Sequence, residues 1–301
     1  MRHFLDIDDL EPGEFARILN LAADPSPPQV LAGKGAALLF EKPSARTRSA
    51  TEMAVVQLGG HPLYIGAAEV GLDQRESVED VTRTLACYNA VIGARVFAHS
   101  TVKRMAAASS VPVVNLLSDR AHPTQAVADL LTVRAERGHL EGLKLAYVGD
   151  ANNVAHSLAY AAGLSGMAVR IASPAGYGFS EPILKRMRRR GCEPVQVQKP
   201  AEAMSDADVV YTDVWTSMGQ EQEVEKRRED FAGFRVDSRL MARASTDAVF
   251  LHCLPAHRGE EVASTVIDGP RSRVWEQAAN RMHAARGILR WLMEQAGKSN
   301  P

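Results

Sequence analysis

Short runs of aliphatic residues recur along the whole chain, and the stretches between them carry apolar side chains at helical spacing. Such runs suit buried strands, and intervening helices supply the crossovers that parallel strands require. The chain is therefore expected to fold as an α/β protein with mostly parallel sheet. In the first half the strands are expected near Ala36–Phe40, Pro62–Ile65, Ala90–Phe97 and Val111–Leu116. In the second half they are expected near Lys144–Val148, Val169–Ala172, Val195–Val197, Val209–Thr212 and Val249–Leu251. One helix should begin after Arg46, with Ala50, Met53, Ala54 and Gln57 on one face, and end at Gly59-Gly60. Another should start at Pro123, a residue suited to the first helical turn, with Val127, Leu130, Leu131 and Ala135 at helical spacing.

A chain of 301 residues suggests about two domains. The charged stretch Arg134–Gly142 ends in glycine and marks the boundary. The run Gln220–Asp230 is almost wholly polar and reads as a solvated loop or helix face, while Val274–Met293 reads as one or two amphipathic helices. Acidic and basic residues are interspersed and the formal net charge is −1, which argues against a nucleic-acid or anionic-membrane partner. The stretch Met1–Pro12 carries Asp6, Asp8, Asp9 and Glu11, unlike a secretory signal, and no run of about 18 apolar residues occurs. Cys87, Cys192 and Cys253 are few, far apart and odd in number, which suits a reducing compartment, and no CxxC pair points to zinc.

The densest cluster of chemistry is Phe40-Glu41-Lys42-Pro43-Ser44-Ala45-Arg46-Thr47-Arg48, set between a strand and a helix. A helix N-terminus presents free N–H groups and partial positive charge, and here two hydroxyls and three cations crowd the same turn. Arginine matches phosphate oxygens with a bidentate fork. The same residues also suit a simple capped helix with a basic surface. A second cluster, His122-Pro123-Thr124-Gln125, again precedes a helix, where imidazole and amide could polarise a carbonyl oxygen.

Three weaker motifs follow. Val148-Gly149-Asp150-Ala151-Asn152-Asn153 has one glycine where a dinucleotide turn needs a GxGxxG pattern; it reads as an Asx-type helix cap or as an amide directed at a ligand. Asp213-Val214-Trp215-Thr216-Ser217-Met218-Gly219 puts a carboxylate past a strand end, able to accept from an ammonium group, although such loops are also ordinary turns. Cysteine in Leu251-His252-Cys253-Leu254-Pro255 can be a buried small side chain or part of a site. All lie where open α/β sheets place ligands.

Taken together these motifs resemble the aspartate/ornithine transcarbamoylase family, specifically its ornithine-using branch, over nearly the whole chain. Ser44 with Arg46-Thr47-Arg48 is similar to the family's carbamoyl-phosphate loop, and His122-Pro123-Thr124-Gln125 to its carbonyl-polarising motif. The resemblance implies that Ser44, Ala45, Arg46, Thr47, Arg95, His122, Gln125, Cys253, Leu254 and Arg281 bind carbamoyl phosphate. It implies that Asn153, Asp213, Ser217 and Met218 bind ornithine, and that His122, Arg95, Asp213 and Cys253 are catalytic. It further implies two doubly wound parallel-sheet domains, residues 1–138 and 139–277, with a C-terminal helix (about 278–301) packing back on the first. A cytoplasmic homotrimer, needing neither cofactor nor metal, is implied as well.

Two departures stand out. Position 45 is alanine where the family usually has threonine, removing one hydroxyl worth about 0.5–1.5 kcal/mol but leaving the backbone N–H. Relatives also carry a loop that reaches the neighbouring subunit's site and often supplies glutamine; ungapped alignment on Glu76-Ser77 puts Gly71 there, with Gln74 and Arg75 close by. A carbamoyltransferase with another amine acceptor and a non-catalytic ligand-binding relative are the alternative readings.

Overall fold

The computed structural model describes residues 1–216 and 221–298. The chain divides into two compact units: residues 1–131 together with the chain from 279 onward, and residues 132–278.

The first unit is built on β1 (Gly35–Phe40), β2 (His61–Gly66), β3 (Asn89–Arg95) and β4 (Val113–Leu117), all parallel and in the order β2-β1-β3-β4. Helices Ala45–Gln57, Val78–Tyr88 and His99–Ala108 supply the crossovers. The inner strands are aliphatic because both their faces are covered. Ala37, Leu39, Ile92, Ala94 and Val113 pack with Val78, Val81, Val102 and Met105 in one continuous core. Each larger side chain so buried contributes about 1.5–3 kcal/mol. Register brings Phe40 level with Arg95, so the loops after β1 and β3 leave the sheet together.

The second unit carries β5 (Lys144–Val148), β6 (Ala168–Ala172), β7 (Val195–Val197), β8 (Val209–Thr212) and β9 (Val249–His252). They form a parallel sheet in the order β7-β6-β5-β8-β9. Ala146, Val148, Val210 and Phe250 pack with Met204, Trp215, Phe231, Val236 and Ile267. Val148 pairs with Thr212 and Thr212 with His252, so the loops opening at Gly149, Asp213 and Cys253 start side by side.

The expected strands all form, and both sheets are parallel throughout. Three details differ. In the helix Ala45–Gln57 the buried side chains are Thr47, Thr51, Ala54 and Val55, while Met53 is exposed. The helix is turned by its threonines: Thr47 accepts bonds from two arginines and must face inward. In the helix Pro123–Arg137 burial ends at Val133, and Ala135 faces solvent. Of the polar run, residues 221–230 form a 3₁₀ turn, Glu221–Glu223, and a short helix, Val224–Asp230, in which Arg227 is buried, and Gln220 lies outside the described residues. Its guanidinium bonds Asp150 and the Trp215 carbonyl, at 2.7 and 2.8 Å, and Glu223 at 2.8 Å.

The C-terminal pattern is a single helix, Val274–Lys298. From residue 279 it belongs to the first unit, where it lies against the helix Pro12–Ala23. A Cβ on Gly287 would stand only 2.7 Å from the Ala22 Cβ and backbone nitrogen, so this contact requires glycine. Among the described residues no helix is long and apolar enough to cross a membrane.

Candidate active site

In the first sheet the strand order reverses between β1 and β3, and open α/β sheets hold ligands beyond the strand ends at such a point. The turn after β1 starts the helix Ala45–Gln57, and the Ser44 hydroxyl caps it by accepting the Thr47 N–H at 3.3 Å. Arg95 closes β3. Its Nη1 donates to the Thr47 hydroxyl at 3.4 Å, and Arg281 Nη2 donates to the same oxygen at 3.2 Å. Arg281 also donates to the Gln125 side-chain oxygen, and Gln125 Nε2 donates to Asp129 at 2.7 Å. Thr47 and Gln125 are neutral acceptors, so they aim the two buried guanidinium groups without cancelling their charge.

His122 sits at the start of the helix Pro123–Arg137, 5% exposed, with Nδ1 3.5 Å from the Thr124 hydroxyl. Burial, and then the Arg281, Arg95 and Arg46 charges, hold its imidazole well below the ordinary histidine pKa. It is uncharged at neutral pH and can donate one N–H to a carbonyl oxygen. Arg46 is exposed in the first turn of the helix Ala45–Gln57 and, among the described residues, pairs with no carboxylate. The other cations of the turn are engaged: Arg48 bonds Glu52 at 2.8 Å and covers the Tyr64 ring, and Lys42 stands 4.2 Å from the centre of the Phe97 ring. The capped-helix reading of this turn holds at Ser44. Ser44, Arg46, Thr47, Arg95, His122, Gln125 and Arg281 belong to this one unit, with Ala45 opening the helix.

In the second sheet the order reverses between β5 and β8. Asp213 lies just past β8, 5% exposed, with both carboxylate oxygens bonded. Asn152 Nδ2 donates to Oδ2 at 2.8 Å and the Cys253 thiol donates to Oδ1 at 3.0 Å. Asn152 is also the N-cap of the helix Asn153–Leu164, its Oδ1 accepting the Val154 and Ala155 N–H groups. The Asx cap expected from sequence is thus present and does double duty, which reading Asn153 alone missed. The signal was the adjacent pair of asparagines: one caps, and its amide nitrogen remains available. Asn153 itself is the first residue of the helix and half-buried. Gly149 has φ 146°, a conformation that excludes side chains, and its carbonyl accepts the Ser173 hydroxyl at 2.6 Å. Burial raises the Asp150 pKa against the pull of Arg227. Leu254 follows Cys253 with φ 60°. Ser217 and Met218, with Gly219, lie outside the described residues.

Asp213, His252 and Cys253 bring potential metal-ligand atoms within 4.8 Å of one another. The His252 ring nitrogens are already bonded, Nδ1 to the Leu254 N–H and Nε2 to Glu261, which leaves this set short of a free imidazole ligand.

Each unit thus gathers its functional side chains where its strand order reverses. The result is a two-domain α/β protein whose first domain suits a phosphate-like anion and whose second suits a cationic amine. The chain belongs to the aspartate/ornithine carbamoyltransferase family. Residues 2–135 match that family's carbamoyl-P binding domain, and residues 141–292 its Asp/Orn binding domain. The chain is 47% identical to the ornithine carbamoyltransferase of Acidothermus cellulolyticus, covering 99% of this chain and 98% of the relative. It is also 47% identical to that of Thermus thermophilus, covering 97% of each. The solved ornithine carbamoyltransferase of Pyrococcus furiosus superposes with a TM-score of 0.92 at 43% identity, covering 97% of both chains.

Proposed function

We propose that this protein transfers the carbamoyl group of carbamoyl phosphate to the δ-amine of ornithine, releasing citrulline and phosphate, as a step in arginine biosynthesis. The observation that carries this reading is the cradle at the ends of β1 and β3. There Arg46, Arg95 and Arg281 all act on one buried imidazole beside a helix N-terminus. A dianionic acyl phosphate fits that concentration of positive charge. Full-length likeness to ornithine carbamoyltransferases supports the choice of acceptor.

In this reading Ser44, the Ala45 backbone, Arg46, Thr47, Arg95 and Arg281 hold the donor phosphate. His122 and Gln125, with Arg95, polarise the carbonyl oxygen and stabilise it as it becomes an oxyanion. Leu254 and Cys253 complete the carbamoyl site. Asn153, Ser217 and Met218 hold the amino-acid end of ornithine. Asp213 and Cys253 orient its δ-nitrogen, which has a solution pKa of about 10 and must lose a proton before attack. The neutral nitrogen adds to the carbonyl carbon, the carbon–oxygen bond to phosphate breaks, and the departing phosphate takes up the nitrogen's remaining excess proton. No metal, cofactor or covalent intermediate enters this scheme.

The reading extends to a cytoplasmic homotrimer. Met53, Val56, Leu63 and Tyr88 are exposed on the first unit, apolar area that self-association would cover, and sedimentation of the purified protein tests it.

The test of function is citrulline formation from carbamoyl phosphate, with ornithine, putrescine and aspartate compared as acceptors. Turnover with ornithine alone is expected. Turnover only with another amine would overturn the acceptor. A folded protein that binds carbamoyl phosphate and turns over none of them would overturn the enzyme reading in favour of a binding protein.

A further inference from the structure

Past the end of β9, Glu261 is fully buried. Its Oε1 lies 3.1 Å from His252 Nε2 and accepts the His257 backbone N–H at 2.6 Å. Its Oε2 is buried and bonds no partner among the described residues. Burying a carboxylate costs several kcal/mol, and two hydrogen bonds to one oxygen are modest compensation. Stability alone is therefore a poor reason for an acid at this position.

The other side of the imidazole supplies a reason. His252 Nδ1 lies 2.9 Å from the Leu254 backbone nitrogen. A backbone N–H can only donate, so Nδ1 must be bare and the ring proton must sit on Nε2, facing Glu261. A carboxylate accepts and does not donate, which makes it the side chain that enforces this tautomer. The bond from Leu254 also holds a strained residue: Leu254 has φ 60°, a left-handed conformation costing a branched side chain about 1–2 kcal/mol. Between His252 and Leu254 lies Cys253, whose thiol meets Asp213 Oδ1 at 3.0 Å. The His252 backbone N–H is in turn fixed by Gln277 Oε1 at 2.9 Å.

We propose that Glu261 and His252 are a positioning pair: the buried carboxylate sets the His252 tautomer, and the bare Nδ1 pins the Cys253–Leu254 turn that orients Asp213 and the carbamoyl group. The proposal rests on the reading above, in which Cys253, Leu254 and Asp213 act on the substrates. Neither Glu261 nor His252 need touch a substrate for this role.

The test compares Glu261→Gln, His252→Asn and His252→Gln with the unmodified protein. Glutamine would keep an oxygen at the Oε1 position, held there by the His257 N–H, but a neutral amide accepts less strongly than a carboxylate and its nitrogen would lie buried at the Oε2 position without an acceptor, so the hold on the Nε2 proton loosens. Glu261→Gln should therefore lower kcat about 10–100-fold while carbamoyl-phosphate affinity changes only a few-fold. Asparagine at position 252 can still accept the Leu254 N–H, whereas glutamine reaches toward Glu261 and leaves that N–H unbound. His252→Asn should retain activity within several-fold of the unmodified protein, and His252→Gln should lose as much as Glu261→Gln. Imidazole ¹⁵N shifts should report the Nε2–H tautomer in the unmodified protein.

Folded Glu261→Gln with unchanged kcat, equal effects of the two His252 substitutions, or an Nδ1–H tautomer in the unmodified protein would each overturn the proposal. If Glu261→Gln does not fold, the His252 pair and the unmodified protein's spectrum decide. Absence of citrulline from the unmodified protein would instead overturn the functional reading, and the tautomer measurement would still decide the geometry.

Discussion

A single asparagine illustrates how one residue ties fold to chemistry here. The Asn152 side-chain oxygen caps the helix Asn153–Leu164 while its nitrogen holds Asp213 Oδ2. Serine also caps helices but offers no donor at the amide position, so Asn152→Ser separates the two roles. The lost bond is charge-assisted, worth about 1.5–3 kcal/mol, and kcat/KM for ornithine should fall about 10–100-fold. The melting temperature should fall by only a few degrees, because the cap is kept. Steady-state kinetics with ornithine varied check this, and unchanged kinetics would remove Asn152 from the amine side. His122 gives a second test at this scale. Burial and three arginine charges depress its pKa well below the ordinary value, so its ring should remain uncharged across the range in which an ordinary histidine gains its proton. Ring ¹⁵N shifts followed over that range should be flat; a titration midpoint near the ordinary histidine value of about 6.5 would contradict the cradle's charge.

Among the elements, the strongest dependence on sequence detail lies where the C-terminal helix meets the helix Pro12–Ala23. Glycine inside a helix costs about 1 kcal/mol relative to alanine, yet Gly287 permits an approach to Ala22 that a methyl would block at 2.7 Å. Arg286 beside it donates to the Ala22 and Asp24 carbonyls at the end of that helix, and Arg290 bonds the Asp24 carboxylate at 2.6 Å. Gly287→Ala should therefore destabilise by about 1–3 kcal/mol through overpacking, outweighing its gain in helix propensity. Thermal denaturation checks the sign, and a raised melting temperature would refute the close contact. The elements themselves were legible: uninterrupted aliphatic runs such as Ala36–Phe40 and Val209–Thr212 allow little except buried parallel strands. What sequence periodicity could not reveal depended on partners far along the chain. Thr47 and Thr51 read as polar, yet Thr47 faces inward because Arg95 and Arg281, 48 and 234 residues away, bond it. Arg227 was hidden in a charged run because its half-buried partner, Asp150, is 77 residues distant. Asn152 was passed over for Asn153 because the strand register that sets Asp213 beside it is a property of the folded sheet.

For the molecule as a whole, the dependence of stability on pH follows from ionisable groups buried in the first unit. In sequence the acidic N-terminal stretch argued only against a secretory signal, but Asp6 is 1% exposed in the fold. Its Oδ1 accepts the Ile7 N–H at 2.8 Å, and Arg120 Nε stands 3.4 Å from Oδ2, with Asp8 and Asp9 nearby. Burial first, and then the Asp8 charge, push its carboxyl from 3.8 up to about 7. A carboxyl with a raised folded pKa binds its proton more tightly when folded, so its contribution to stability declines as pH rises from about 4 to about 7. His99 acts in the opposite sense. Burial, with Arg120 and Lys103, lowers it from 6.5 to about 4, so the unfolded chain binds that proton more tightly and stability rises with pH across much of the same window. His122 adds to the rise. The two slopes oppose each other in the unmodified protein. Asparagine at position 6 keeps an acceptor for the Ile7 N–H and cannot ionise, while Arg120 retains Asp8 at 3.7 Å. Asp6→Asn should therefore unmask the histidine slope. Relative to the unmodified protein, its melting temperature should gain steadily from about pH 4.5 to about pH 7 and hold level above that. Melting curves of both proteins measured in parallel across this range test the prediction, and an offset that does not vary with pH would show that Asp6 keeps an ordinary pKa in the folded protein.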